Sequence, residues 1–395
     1  MGQIFDDAHI HAAWWTGVIE PGDLYASALR AALGDEEARL WAQAKHPGPL
    51  PTRLLGPNRD WEGAWKKWHS RIDGLDAVAL LEQANTLGHQ LVIPSDQDWP
   101  RVLSDLGPTE PVGLWISGTL PASDRCISIV GARAATQRGE MLAADIACSL
   151  AERGWAVISG GAFGIDIAAH RGCRAGEGQT VVVLAGGISH VYPVAHADDF
   201  RCIQEGGGAL VSEVPAHWRP AKWRFLGRNR LIAAWGRGTV VVEAGMRSGA
   251  LATARRAMEL GRPVGAVPGP VESALYTGCH ELIRHGATLI RDADDCSELI
   301  EPMEIRMQQP LFGDPVTADH GTDGLAPTLR RIWEALPMRQ GTSISRVARV
   351  AGLSQDEVLR GLAELELLGY VRSGSGGYRR NPRYTSKAAT SGSTP

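Results

Sequence analysis

Between Val214 and Val242 the chain carries no Asp or Glu, yet Arg219, Lys222, Arg224, Arg228, Arg230 and Arg237 all fall in that span. Trp218, Trp223, Phe225 and Trp235 are interleaved with them. On a chain of formal net charge −4, so local an excess of cations marks a surface for an anion. Aromatic rings among the cations are stacking platforms, which suits single-stranded nucleic acid better than a free phosphate. The same residues also read as a solvated basic loop with tryptophans turned into a core, and the run alone leaves those two readings level.

Three glycine-containing turns bear on the choice. Gly131-Ala132-Arg133, the stretch Ser159 to Gly164 and the stretch Met246 to Leu251 each stand between an apolar run and a helical pattern. Glycine lets backbone N–H groups approach an anion and a helix N-terminus adds partial positive charge, so all three turns suit phosphate. Ser248 is placed to N-cap the helix that follows. None of the three matches GxGxxG with its downstream acid, or GxxxxGK[ST], so a dinucleotide or ATP site is weakly supported and no cofactor is expected. Three such turns at one sheet edge beside the basic run point to a groove for a phosphate backbone. For catalysis the sequence offers little. Asp166 and His170 are an i, i+4 pair that reads as acid–base machinery or as a structural pair, and no nucleophile stands nearby to favour the first. Glu213 and Glu243 each follow an apolar run and read either as acids of a hydrolase site or as anchors for the basic groove. No metal-ligand spacing is present.

These turns need a frame, and the hydrophobic pattern supplies it. The runs CISIV, WAVIS, TVVVLA, GALVSEV, GTVVVEA and PVGAV alternate with amphipathic helical stretches. That is the pattern of a parallel sheet covered on both faces, a doubly wound α/β domain whose ligands bind at the carboxyl ends of its strands. Before it, residues 1 to about 110 read as helical and tryptophan-rich. After it, a Pro/Gly-rich linker leads to a segment with helix, helix, turn at Gly352, helix and hairpin, the order of a winged helix-turn-helix. The six cysteines are scattered, with no CxxC pair, so neither zinc nor a disulfide framework is indicated and a reducing cytosol is expected. The first residues show no signal-peptide pattern, and no apolar window is long enough to span a membrane.

Taken together, the motifs resemble the DNA-processing protein A family (DprA, also called Smf) over roughly residues 93 to 287 and the tail. IVGAR with Gly139, SGGAFGIDIAAH, LAGGISHVYP, SEVP with FLGRNRLIAA, and VVVEAGMRSGALATARRAMELGRPVGAVPG occur in the family's order. Carried over by motif are Gly131, Arg133, Gly139, Ser159, Gly160, Gly164, Asp166, His170, Gly187, Tyr192, Pro193, Ser212, Glu213, Phe225, Arg228, Asn229, Arg230, Glu243, Ser248, Gly249 and Thr253. The resemblance implies a homodimer that binds single-stranded DNA and passes it to the RecA recombinase during natural transformation, with no turnover, metal or membrane. It also implies an extended Rossmann-like core over 113–300, a helical, SAM-like N-terminal domain over 1–112, a linker over 301–326, a winged helix over 327–383 and a disordered tail over 384–395.

On that basis Arg133, Arg228 and Arg230, joined by Lys222, Arg224 and Arg247, are expected to hold phosphates. Main-chain groups at Gly131, Gly160 and Ser248–Gly249 would help, and Trp223 or Phe225 either stacks on bases or belongs to the core. The chain departs from the pattern at Phe163 and Gly227, where cations are usual, and at Leu226, Ser189 and His280. Arg219, Lys222, Arg224 and Arg247 are expected to compensate for the lost cations. Two other readings remain. One is a nucleotide-processing enzyme of the phosphoribohydrolase type, although EAGMRSGALATA lacks that group's PGGxGT turn. The other is a winged-helix transcription regulator, although Asp356 and Glu357 stand where groove-facing residues belong.

Overall fold

The computed structural model describes residues 5–56, 59–301, 325–337, 341–374 and 377–381. Most of the expected linker and the whole of the expected tail lie outside the described residues. The chain divides into two compact units, residues 1–302 and 303–395.

The first unit is built on a nine-stranded sheet: β1 (His89–Val92), β2 (Leu114–Gly118), β3 (Cys126–Val130), β4 (Ala156–Ser159), β5 (Thr180–Val183), β6 (Ala209–Ser212), β7 (Thr239–Val241), β8 (Val264–Ala266) and β9 (Thr288–Leu289). Their spatial order is β1-β2-β6-β5-β4-β3-β7-β8-β9. The seven strands from β6 to β9 pair in parallel, and β2 and β1 continue the sheet antiparallel. Chain order therefore runs outward from β3 in both directions, which makes the β3/β7 junction the switch point of a doubly wound sheet.

Residue alternation along the strands fixes the layers. Ile127 and Ile129 of β3 pack with α6 (Gln137–Glu152) and α7 (Ile165–Ala175), while Cys126 and Val130 face the layer holding α9 (Lys222–Trp235) and α10 (Gly249–Glu259). With both faces covered, the strands β3 to β8 can be buried along their whole length, and their sequences are largely apolar runs.

The N-terminal residues add α1 (Asp7–Val18), α2 (Leu24–Leu33), α3 (Asp35–Gln43), α4 (Trp61–His69) and α5 (Ala77–Thr86). Trp14, Trp15, Trp41, Trp61 and Trp68 form their core, with the Trp14 and Trp15 rings edge-on at 4.9 Å and 86°. Such pairs add about 0.5–1.5 kcal/mol each beyond area burial. This core is continuous with Leu210 and Val182 of the sheet, and Trp115 Nε1 donates to Thr16 Oγ1 at 3.1 Å. The division expected at 112/113 thus does not separate two cores. Residues 1–112 also contribute β1, whose residues HQLV are half polar and form no continuous apolar run. The remaining helices of this unit are α8 (Ala197–Glu205), α11 (Thr277–Arg284) and α12 (Ala293–Ile300).

The second unit holds α13 (Pro327–Glu334), α14 (Ile344–Ala351), α15 (Gln355–Leu367) and the antiparallel hairpin β10 (Val371–Gly374) with β11 (Gly377–Arg380). Leu329, Ile332, Trp333, Val347, Val358, Leu362, Leu365 and Val371 close its core. Gly352 ends α14 at φ +64°, a left-handed position that a side chain would strain. Three helices followed by a hairpin is the order expected from the sequence.

Candidate nucleic-acid interface

A cleft of about 520 Å³ opens at the carboxyl ends of β3 and β7. It is bounded by Gly131 to Arg133 from the turn after β3, Asp166 at the start of α7, Arg247 to Gly249 from the turn after β7, and Phe225, Arg228 and Asn229 from α9. The geometry of an open α/β sheet puts a ligand site at this junction.

The two turns that flank the cleft are fastened together. Ala132 N–H donates to the Glu243 carbonyl at 2.6 Å. The Glu243 carboxylate, wholly buried, accepts from Thr136 N–H (2.9 Å), Thr136 Oγ1 (2.6 Å) and Tyr276 Oη (2.7 Å). Burial and that hydrogen bond push the Tyr276 phenol up to about 12, so it stays protonated as a donor. A Cβ on Gly139 would overlap the Glu243 carboxylate, which explains glycine at that helical position. Glu243 is therefore a brace for the cleft, and its oxygens are not presented to a ligand.

The floor is an Arg–Asp couple. Arg228 is 6% exposed, donates from Nη1 to the Val183 carbonyl at 2.8 Å, and leaves Nε without a partner among the described residues. Burial lowers its pKa to about 10, with Asp166 as the opposing influence, so it remains charged at neutral pH. Burial raises the Asp166 pKa, and the charge of Arg228 works against that rise. Asp166 also accepts from Ala162 N–H at 3.4 Å, closing the turn before its own helix. Gly160 exists to admit Arg228, since a Cβ there would collide with the guanidinium. Gly164, at φ +75°, lies too close to the Ala132 carbonyl for any side chain.

Other expected site residues serve the fold. Asp166 and His170 share a helix without bonding each other. His170 Nδ1 pairs with Thr180 Oγ1 at 2.7 Å, and burial drives its pKa down to about 3, keeping the ring neutral. Ser159 Oγ donates to the Ile129 carbonyl at 2.6 Å, a tie between strands, so its hydroxyl does not face a ligand. Thr253 is buried on the inner side of α10 at the cleft wall. Ser248 does N-cap α10, accepting from Ala250 N–H at 3.3 Å, while the space around Gly249 is open.

The basic run is a helix for most of its length rather than a loop. α9 begins at Lys222 with no side-chain cap and no acid in its first turn, so its free N–H groups and its cations add to one positive end. Its cations then part company. Arg230 is 7% exposed and grips Glu213 with two bonds of 2.6 Å, while its Nε donates to the Thr109 carbonyl at 3.0 Å. Arg224 turns toward the N-terminal helices, bonding Glu20 at 2.8 and 3.0 Å, with its guanidinium 4.5 Å from the Trp218 ring centre. Neither has its fork free for a phosphate, which corrects the expectation for both and removes Arg224 from the compensating set. Glu213 matches the anchoring reading.

What remains exposed is a different set: Arg133, Arg219, Lys222 and Arg247. Among the described residues no hydrogen bond or ion pair engages the side chains of these four. They border the cleft and an adjoining groove of about 1040 Å³ lined by Tyr192, Phe225 and Leu226. Phe225 is half-buried, with the Arg133 guanidinium 5.1 Å above it and Tyr192 5.7 Å away, whereas Trp223 is 61% exposed. Sequence reasoning missed Glu20, which ties down Arg224 and Arg71, and Tyr276, which holds the Glu243 carboxylate. No local signal marks pairings made across so much chain.

The comparisons with known proteins agree with this architecture. The family model for "DNA recombination-mediator protein A" matches residues 90–301. A Mycobacterium tuberculosis relative bearing the name DNA processing protein DprA is 42% identical over 380 residues, covering 93% of each chain. The chain belongs to this family. Protein Smf of Escherichia coli is 35% identical over 310 residues, 77% of this chain and 80% of that one. The crystal structure of DprA from Streptococcus pneumoniae superposes with a TM-score of 0.58 at 27% identity, covering 76% of this chain and all of that one. The family match ends where the first compact unit ends, so it frames the whole switch-point cleft. No group of three or more His, Cys, Asp or Glu residues is arranged to hold a metal among the described residues, and no described helix is long and apolar enough to cross a membrane.

Proposed function

We propose that this protein binds single-stranded DNA in the switch-point cleft, shields it, and hands it to the RecA recombinase during natural transformation. It does so as a homodimer in the cytosol. The observation that carries the reading is the meeting, at one sheet edge, of free cations (Arg133, Lys222, Arg219, Arg247), the unobstructed backbone at Gly249 on the N-terminus of α10, and aromatic surface at Phe225 and Tyr192. Flexible single strands can lay phosphates along such cations and turn bases onto the rings, which a duplex cannot do. Family membership supports the DNA partner, and the motif resemblance supports RecA and the dimer.

Turnover is not part of this proposal. Glu243 accepts three donors, His170 is locked neutral away from the cleft, and Asp166 faces Arg228. For the second unit the same logic favours a docking module over a reader of duplex DNA. α15 opens on Asp356 and Glu357, and Glu357 is engaged in a capping box with Ser354. Equilibrium binding of matched single- and double-stranded oligonucleotides tests the function. Selective single-strand binding that weakens with salt is expected, and equal or preferential duplex binding would overturn it.

A further inference from the structure

We propose that the bound strand continues beyond the switch-point cleft, over the N-terminus of α9, and seats a base in a groove between α5 and residues 217–224. This rests on the single-stranded DNA reading. The groove has a volume of about 850 Å³ and lies wholly within the first compact unit. Three openings form a connected path. The cleft and the Tyr192 groove share Arg133, Phe225 and Leu226, and the Tyr192 groove and this third groove share Arg219 and Pro220.

The chemistry along the path fits one strand. Arg219 and Lys222 stand exposed where the openings meet, placed for the phosphates that link successive nucleotides. Inside the third groove, Trp223 offers the largest exposed ring among the described residues, at 61%, and a base has a face to stack on it. Trp218 is no such platform. The guanidinium groups of Arg71 and Arg224 lie 4.9 and 4.5 Å from its ring centre, both tied to Glu20, whereas Trp223 is approached by the Arg224 group alone among the described residues, at 5.8 Å. That cluster instead holds the 217–224 segment open against the N-terminal helices. The opposite wall carries Asp73 and Asp76, which repel a phosphate. The groove therefore suits a base, with the backbone passing along the Arg219 side. It would give the N-terminal helices a share in DNA binding.

The test measures the affinity of the full chain for oligothymidylates lengthened one nucleotide at a time. Wild type is expected to gain affinity in a distinct step once the strand reaches the third groove. Trp223→Ala should remove that step, about 5- to 150-fold, the contribution of one stacked base, and leave the shortest binding oligonucleotides unaffected. Ala79→Glu, on the exposed face of α5 across the groove, should reduce the same step by repulsion without touching the cleft. Loss by one common factor at every length in Trp223→Ala, or no loss at any length in both variants, would overturn the proposal while leaving single-strand binding in place. Wild type failing to bind at any length would overturn the function together with the groove.

Discussion

Arg230 provides the sharpest test of how the structure sorts the basic run. Its side chain and that of Glu213 are 8% and 10% exposed, and two bonds of 2.6 Å join them. Arg230→Ala leaves the Glu213 carboxylate buried without its counter-charge and frees the Thr109 carbonyl from its donor. Breaking a buried pair from one side costs about 3–5 kcal/mol, most of it the uncompensated charge. For a unit of this size that is a fall in Tm on the order of 10 °C. Thermal melts followed by circular dichroism, with single-stranded DNA binding measured well below the variant's own Tm, separate fold from function. The expected result is a large loss of stability with affinity reduced little. The double variant Arg230→Met with Glu213→Leu should recover much of the stability, because apolar residues of similar volume replace such pairs at little cost. A variant that melts like wild type yet loses DNA would overturn this sorting of the cations and return Arg230 to the binding surface.

Other variants carry the same logic elsewhere. Arg133→Ala and Arg247→Ala should each weaken single-strand binding and flatten the plot of log affinity against log salt by about 0.7 for each phosphate no longer neutralised, with melts unchanged; unchanged slopes would remove them from the site. Gly160→Ala must displace the Arg228 guanidinium, so it should cost about 1–3 kcal/mol in urea unfolding and lower affinity, and a neutral result would mean Arg228 is not held as described. His170 has its folded pKa depressed, from 6.5 to about 3, so the unfolded chain takes up a proton first as pH falls. The stability it supports is present above about pH 6.5 and is lost on acidification toward about pH 3. Asp166, with a raised pKa, changes stability in the opposite sense, so the informative comparison is His170→Gln against wild type. The variant should show a shallower loss across that window, and an identical pH profile would contradict the buried neutral ring.

The parallel core was legible because most of its strands are short apolar runs, and β3, β4, β5 and β7 lead into glycine-containing turns, a pattern set by local chemistry. The turns at Gly131, Gly160 and Ser248 could be placed at one sheet edge from that pattern alone. The state of each cation could not. Arg230 and Glu213 are 17 residues apart, and Arg224 and Glu20 are 204 apart, so composition treats Arg219, Arg224, Arg228 and Arg230 as equivalent where folding has tied down the last three. α9 escaped recognition for a related reason. It is surrounded by protein along much of its length and buries Arg228 and Arg230 beside Leu231 and Ile232, so no polar face marks it as amphipathic. Strand β1 is half polar (HQLV) and β9 has two residues, so neither shows as an apolar run.

Whether the switch-point cleft and its free cations take a single strand is decided by competition. Single- and double-stranded oligonucleotides of one sequence compete for wild type, and for a variant lacking Arg133 and Arg247, across a salt series. Wild type is expected to select the single strand at every salt concentration, and the double variant to lose affinity and salt dependence while its melting curve is unchanged. Equal binding of the two DNAs by wild type, or full affinity in the variant, would contradict single-strand binding in this cleft.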